Sequence, residues 1–127
     1  AALGVKNTSQ WSKDLDNKAN KKFVQDFQKE YGRLPSLYAS QGYDTGKLLI
    51  SALNVADVKD QDKFRSALKN ANFESTRGSF KFDTNQHPIQ DIYVREVIKE
   101  GKILTNKIIS TGLKSRSNAY VKDCPLK

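Results

Sequence analysis

Apolar residues recur every four positions at Ala19, Phe23, Phe27 and Tyr31, with Val24 beside them. That stripe is one face of an amphipathic helix. Asp16 is its expected N-cap, and Gly32 with Pro35 beyond is the expected stop. A second helix is predicted from Ser36 or Leu37 to about Ala56, with Leu37, Tyr43, Leu48, Leu49, Ala52, Leu53 and Ala56 as its apolar set. A third, capped by Asp60, runs to about Ala71 and turns Phe64, Ala67, Leu68 and Ala71 inward. After Asn72 the period falls to two. Ser79 to Asp83 alternates as a half-buried strand does, and Asp83 to Pro88 is dense in turn formers. Ile89 to Ile98 is rich in β-formers, Lys99 to Lys102 reads as a hairpin turn, and Ile103 to Ile109 is the return strand. At the other end, Leu3-Gly4-Val5 is a short strand and Asn7 to Ser12 a polar loop containing Trp11. The tail from Lys114 reads as irregular.

Helices followed by strands give an α+β order, or a piece of a larger α/β fold. The helices have strong apolar faces, yet few strands are available to cover them. The missing layer is expected to be a sheet supplied by other sequence. Gly42 and Gly46 point the same way. Each costs roughly 1 kcal/mol relative to Ala inside a helix, so a close approach to that backbone is the expected reason for them.

Composition narrows the partners. The chain has 127 residues, which fits one domain, and carries a formal net charge of +8. Its lysines are scattered, and the longest basic run is Lys21-Lys22, so no nucleic-acid partner is expected. No apolar run approaches the roughly 18 residues of a membrane span, so no direct membrane insertion is expected. Ala1 to Lys6 shows no charged leader followed by an apolar segment, so no signal peptide is read there. Cys124 is the one cysteine, either a free thiol or half of a bridge to sequence outside this chain.

Catalytic patterns are weak. His87, the one histidine, sits in a turn before Pro88 and is read as a turn residue rather than a general base. One His and one Cys make no zinc pattern, and no phosphate-cradling glycine motif or nucleophile elbow is present. The chain is read as non-enzymatic, with no cofactor and no metal. The better lead is the start of the second helix. Tyr38, Ser40, Gln41 and Tyr43 offer ring faces, hydroxyls and an amide beside unpaired N–H groups and a positive dipole end. That chemistry suits a small carboxylate-bearing ligand. Tyr43 lies on the apolar stripe and is expected in the core. Asp44 is expected to pair with Lys47 along the helix surface. Trp11 is either a cleft aromatic or a lid over the helices.

The ordered set Phe23, Phe27, Tyr31-Gly32, Pro35, Tyr38-Ala39, Tyr43-Asp44, Leu48-Leu49 and Ala52-Leu53, followed by Phe64, Leu68, Phe73, Gly78, Phe80, Phe82-Asp83, Tyr93 and Gly101-Lys102, resembles the C-terminal third of a solute-binding protein. The type is the one that serves branched-chain amino acid ABC transporters, the extracellular ligand-binding receptors. The tail Tyr120 to Pro125 is similar to that of many members. The resemblance implies part of a type I periplasmic-binding-protein fold, with about three helices plus a C-terminal hairpin. Whole members have two α/β lobes joined by three crossovers and close on ligand by a hinge. It implies residues 1–12 as a crossover or hinge segment, 13–83 as the helical part of the first lobe, and 84–127 as hairpin and tail returning to the second. The positions matching Tyr38 and Gln41 then face the ligand, with Trp11 in a hinge-side loop near it. Cys124 would pair with an upstream cysteine. The implied function is periplasmic binding of an amino acid or aromatic acid for delivery to ABC permease subunits. A ligand-sensing receptor or regulatory module of the same fold is the alternative, and a homo-oligomer would be another way to cover exposed helix faces. In place of the glycine turn that many members have after Phe-Asp, this chain has Thr84 to Pro88.

Overall fold

Asn20 organises the entry to the first helix in the computed structural model, which describes residues 2–124 and 126. Its side chain is fully buried, donates to the carbonyls of Ser12, Lys13 and Leu15 at 3.1 to 3.3 Å, and accepts the Trp11 indole N–H at 2.7 Å. The polar loop before the helix is thereby given partners for its buried carbonyls. Helix α1 spans Lys18–Tyr31. Its cap is Asn17, one residue after the expected Asp16, because the Asn17 side chain accepts the Asn20 amide at 2.8 Å while Asp16 pairs with Lys21 on the surface. The helix ends at Gly32 in the left-handed region, φ 65°, which glycine enters without steric cost.

Helix α2 spans Leu37–Leu53 and α3 spans Gln61–Asn70. The α3 cap is the predicted Asp60, and α2, expected to start at Ser36 or Leu37, is capped by Ser36. Trp11, Leu15 and Phe23 form the buried centre, with Phe27, Ala39 and Tyr43 packed on it from the helices and Tyr93 and Ile108 from the strands. The Phe23 and Tyr43 rings lie 4.8 Å apart, as the expected core role of Tyr43 requires.

The strands form one antiparallel sheet around a long centre. β1 is Lys6–Ser9, β2 Lys81–Phe82, β3 Pro88–Glu100 and β4 Ile103–Arg116, and the first, second and fourth all pair with β3. The expected strand at Leu3 to Val5 is instead a flank of β1, and the polar stretch read as a loop holds the strand itself. Polar residues hold it because their side chains are used across the sheet: Asn7 accepts from the Arg95 guanidinium at 2.7 and 2.9 Å and donates to Asn106 at 2.7 Å. The hairpin turns at Gly101, and β4 continues past the predicted Ile109 to Arg116. Register shifts interrupt its pairing, and a Cβ at Gly112 would meet the Val94 side chain at 3.3 Å, a tight contact to which Val94 would have to give slightly. Ala1, Pro125 and Lys127, the last two in the tail, lie outside the described residues. Cys124 is a half-buried free thiol.

One expectation about α2 changes, and the close approach expected at its glycines is not made within this chain's described residues. Nothing lies within 4 Å of a Cβ built at Gly42 or Gly46. These glycines share an open face with Leu49 and Leu53, both more than 40% exposed. Asp44 does not pair with Lys47: it is 1% exposed and bound to a turn more than thirty positions away.

Candidate functional site

The first turn of α2 is a built feature. Ser36 has extended backbone and its hydroxyl accepts the Ala39 amide at 3.3 Å. Pro35 before it is buried. This fixes where the helix begins and therefore where Tyr38 projects. Tyr38 is 80% exposed, so its ring face is open at the helix start. Gln41, three positions on, is half-buried. The spacing of three puts both on neighbouring turns of one side. Thr45 follows on the same side and donates its hydroxyl to the Gln41 carbonyl at 2.8 Å.

Gln41 lines a groove of about 350 Å³ between α2 and the segment after α3. The rings of Phe73, Phe80 and Phe82 and the Arg77 guanidinium form the opposite wall. Tyr38 is outside that lining, at the end of the helix. Trp11 lies in neither place. It is 3% exposed in the core, edge-on to Phe23 at 6.2 Å, with its N–H committed to Asn20. Tyr38 and Gln41 thus share one side of α2 by their spacing, but only Gln41 lines the groove, and Trp11 lies apart beneath the helices. A second groove, about 450 Å³, lies between α1 and α2 and is lined by Phe23, Phe27, Tyr31 and Tyr43 with Asp26 and Glu30. A depression of about 500 Å³ at the other end of α2, beside Ile50 and Asn54, holds none of the predicted residues.

Sequence reasoning missed the polar cluster beneath Gln41. The Asp44 carboxylate accepts from the Ser75 hydroxyl at 2.6 Å, the Thr76 amide at 2.9 Å and Arg77 Nε at 3.1 Å. Ser40 and Thr76 share a hydroxyl–hydroxyl bond at 2.7 Å. Arg77 stacks on Phe80 at 4.6 Å and reaches Gln90 of β3 at 2.9 Å. The available signal was an aspartate in a helix interior, where its propensity is poor, together with the hydroxyl-rich Ser75-Thr76 turn. Neither names the other.

A separate cluster joins the strands. Arg95 donates to Asn7 and to the Trp11 carbonyl, and Asp14 accepts the Ile108 amide at 3.0 Å. Burial lowers the Arg95 pKa, and the Asp14 charge acts against that. Burial pushes the Tyr93 phenol up, helped by Asp91. His87 stays in its turn, with Nδ1 3.3 Å from the Asn118 amide nitrogen. Among the described residues, no three His, Cys, Asp or Glu side chains gather to hold a metal, and no helix is long and apolar enough to cross a membrane.

Residues 1–102 match the family model described as periplasmic binding protein. Leu/Ile/Val-binding protein homolog 6 of Brucella abortus is 34% identical over 104 residues, 77% of this chain and 26% of that protein. Among solved structures, an ABC transporter solute-binding protein from R. palustris in complex with benzoate aligns with a TM-score of 0.85 at 30% identity, covering 93% of this chain and 32% of that one. Another from Rhodopseudomonas palustris BisB5, in complex with 3,4-dihydroxybenzoic acid, gives 0.79 at 31% identity, covering 93% and 33%. The chain thus spans about a quarter of the curated relatives and about a third of the solved structures that it matches.

Proposed function

The chain belongs to the periplasmic binding protein family, and from that premise we propose that it supplies one wall of a ligand cleft for a small carboxylate. The ligand class is aromatic acids or branched-chain amino acids. The relatives' names and bound molecules are of those two kinds. The observation that carries the reading is the exposed Tyr38 ring, three positions before the groove-lining Gln41, in the first turns of a capped helix. The ring supplies a stacking surface for an aryl or branched alkyl group. The amide and the helix N-terminus suit the carboxylate.

The work of such a receptor is reversible binding outside the cytoplasmic membrane and delivery to ABC permease subunits, with no covalent chemistry. The opposing wall comes from sequence beyond these 127 residues. One wall alone is expected to bind at about millimolar Kd, about −4 kcal/mol, where a complete cleft at micromolar Kd reaches about −8 kcal/mol.

Thermal melting in the presence of benzoate, L-leucine and their alcohol counterparts, benzyl alcohol and leucinol, tests the class. Ligand at about a hundred times its Kd adds about 2.7 kcal/mol of stability and raises the melting midpoint. The midpoint is expected to rise with the carboxylates and not with the alcohols. Equal effects from acid and alcohol, or none from any of the four, contradict the reading.

A further inference from the structure

The turn Ser75-Thr76-Arg77 touches three elements at once. It holds α2 through Asp44 and Ser40. It holds the start of α1, where Asn17 donates to the Thr76 carbonyl at 3.0 Å. It holds β3 through the Arg77–Gln90 bond at 2.9 Å. Ser75 and Thr76 are 3% and 0% exposed, so these bonds are sheltered from water. Asp44 lies one turn after Gln41 and two after Tyr38, and among the described residues nothing comes within 4 Å of a Cβ built at Gly42 or Gly46, Gly42 opening onto the groove toward α1. What fixes the angle of the first two turns is therefore the packing of Ala39 and Tyr43 on Phe23, together with this polar hub.

We infer that the Ser75–Arg77 turn is a positioning element for Tyr38 and Gln41, and that the Arg77–Gln90 contact ties their orientation to strand β3. This rests on the reading of those two residues as ligand-facing. Physically, Asp44 clamps the helix to the turn, and Arg77 spans from that carboxylate to the strand with two different nitrogens of one rigid guanidinium. Lysine has one nitrogen on a flexible stem and does not reproduce the span.

The test is residue-resolved amide hydrogen exchange on the whole chain without ligand, comparing wild type with Gln90→Leu, Gln90→Glu and Arg77→Lys. Gln90→Leu cuts the outer link and leaves the Asp44–Arg77 pair in place. Exchange at residues 40–44 and at Thr76 is expected to accelerate about tenfold while α3 and the thermal midpoint stay as in wild type. Gln90→Glu, which still accepts from Arg77, is expected to restore wild-type exchange, and Arg77→Lys to loosen the same amides. Wild-type exchange in Gln90→Leu overturns the inference. So does uniform acceleration across all helices, which is plain destabilisation, or failure of Gln90→Glu to restore. The measurement uses no ligand. A negative carboxylate melting experiment therefore counts against the binding reading, and a negative exchange experiment against the positioning.

Discussion

Asp44 and Asn20 are the two side chains on which most depends. Asp44 is a buried charge whose cation, Arg77, is itself only 10% exposed at the side chain. Removing one member of such a pair strands the other. Asp44→Ala is expected to cost about 3–5 kcal/mol in denaturant unfolding, and a cost below about 1 kcal/mol would show that the pair is not held in this geometry. Asn20→Ala removes the partner of the Trp11 N–H and of the Ser12, Lys13 and Leu15 carbonyls. Leaving a buried polar group unpaired costs about 1–3 kcal/mol, and a loss of at least that size is expected. The start of α2, where Tyr38 and Gln41 lie, was legible from the sequence because a helix start announces itself locally, with Ser36 after Pro35. The role of Asp44 was not, because its partners lie 31 to 33 positions away while Lys47 offers a local one three residues on. Trp11 stayed open between a cleft aromatic and a lid over the helices for a related reason: a polar flank resembles an exposed loop until Asn20 is seen to satisfy its carbonyls.

The elements follow how much of their specification is local. The three helices are close to expectation because the four-residue period and the caps Ser36 and Asp60 are written within them. β1 escaped because its residues are polar and its reason for being a strand is Arg95 on β3. β4 runs beyond the predicted end because pairing with a long β3 extends it where its own composition does not. The α3 cap carries a pH dependence. The Lys63 side chain and amide hold Asp60 below its ordinary value of 3.8. A depressed carboxylate stabilises the fold above its unfolded pKa and loses that contribution as pH falls through the folded one. The acid-side fraying of α3, followed by the Lys63 amide resonance, is therefore expected below pH 3.8 in wild type. Asp60→Asn, which caps without titrating, should blunt that step. An identical acid response in both proteins would remove the cap from the account.

The whole molecule has an uneven surface. Its buried apolar residues are concentrated around Trp11, Leu15 and Phe23, while Leu49, Ile50 and Leu53 of α2 stay 42% to 57% exposed beside Gly46. A contiguous open apolar face of this kind takes up hydrophobic dyes. The folded chain is expected to bind such a dye, and Ile50→Lys with Leu53→Lys to reduce the signal without lowering the helix content. A dye signal unchanged by those two substitutions would place the apolar surface elsewhere.

The claim on which the functional account turns is that the start of α2 faces the ligand. Two-dimensional NMR of the isotope-labelled chain, titrated with benzoate and separately with L-leucine, tests it most directly. Saturable shifts centred on the Tyr38 ring and the Gln41 side-chain amide are expected, with a Kd of about a millimolar for at least one of the two ligands. Shifts that spare both residues, or that gather instead in the Phe27 and Tyr31 groove between α1 and α2, would contradict it.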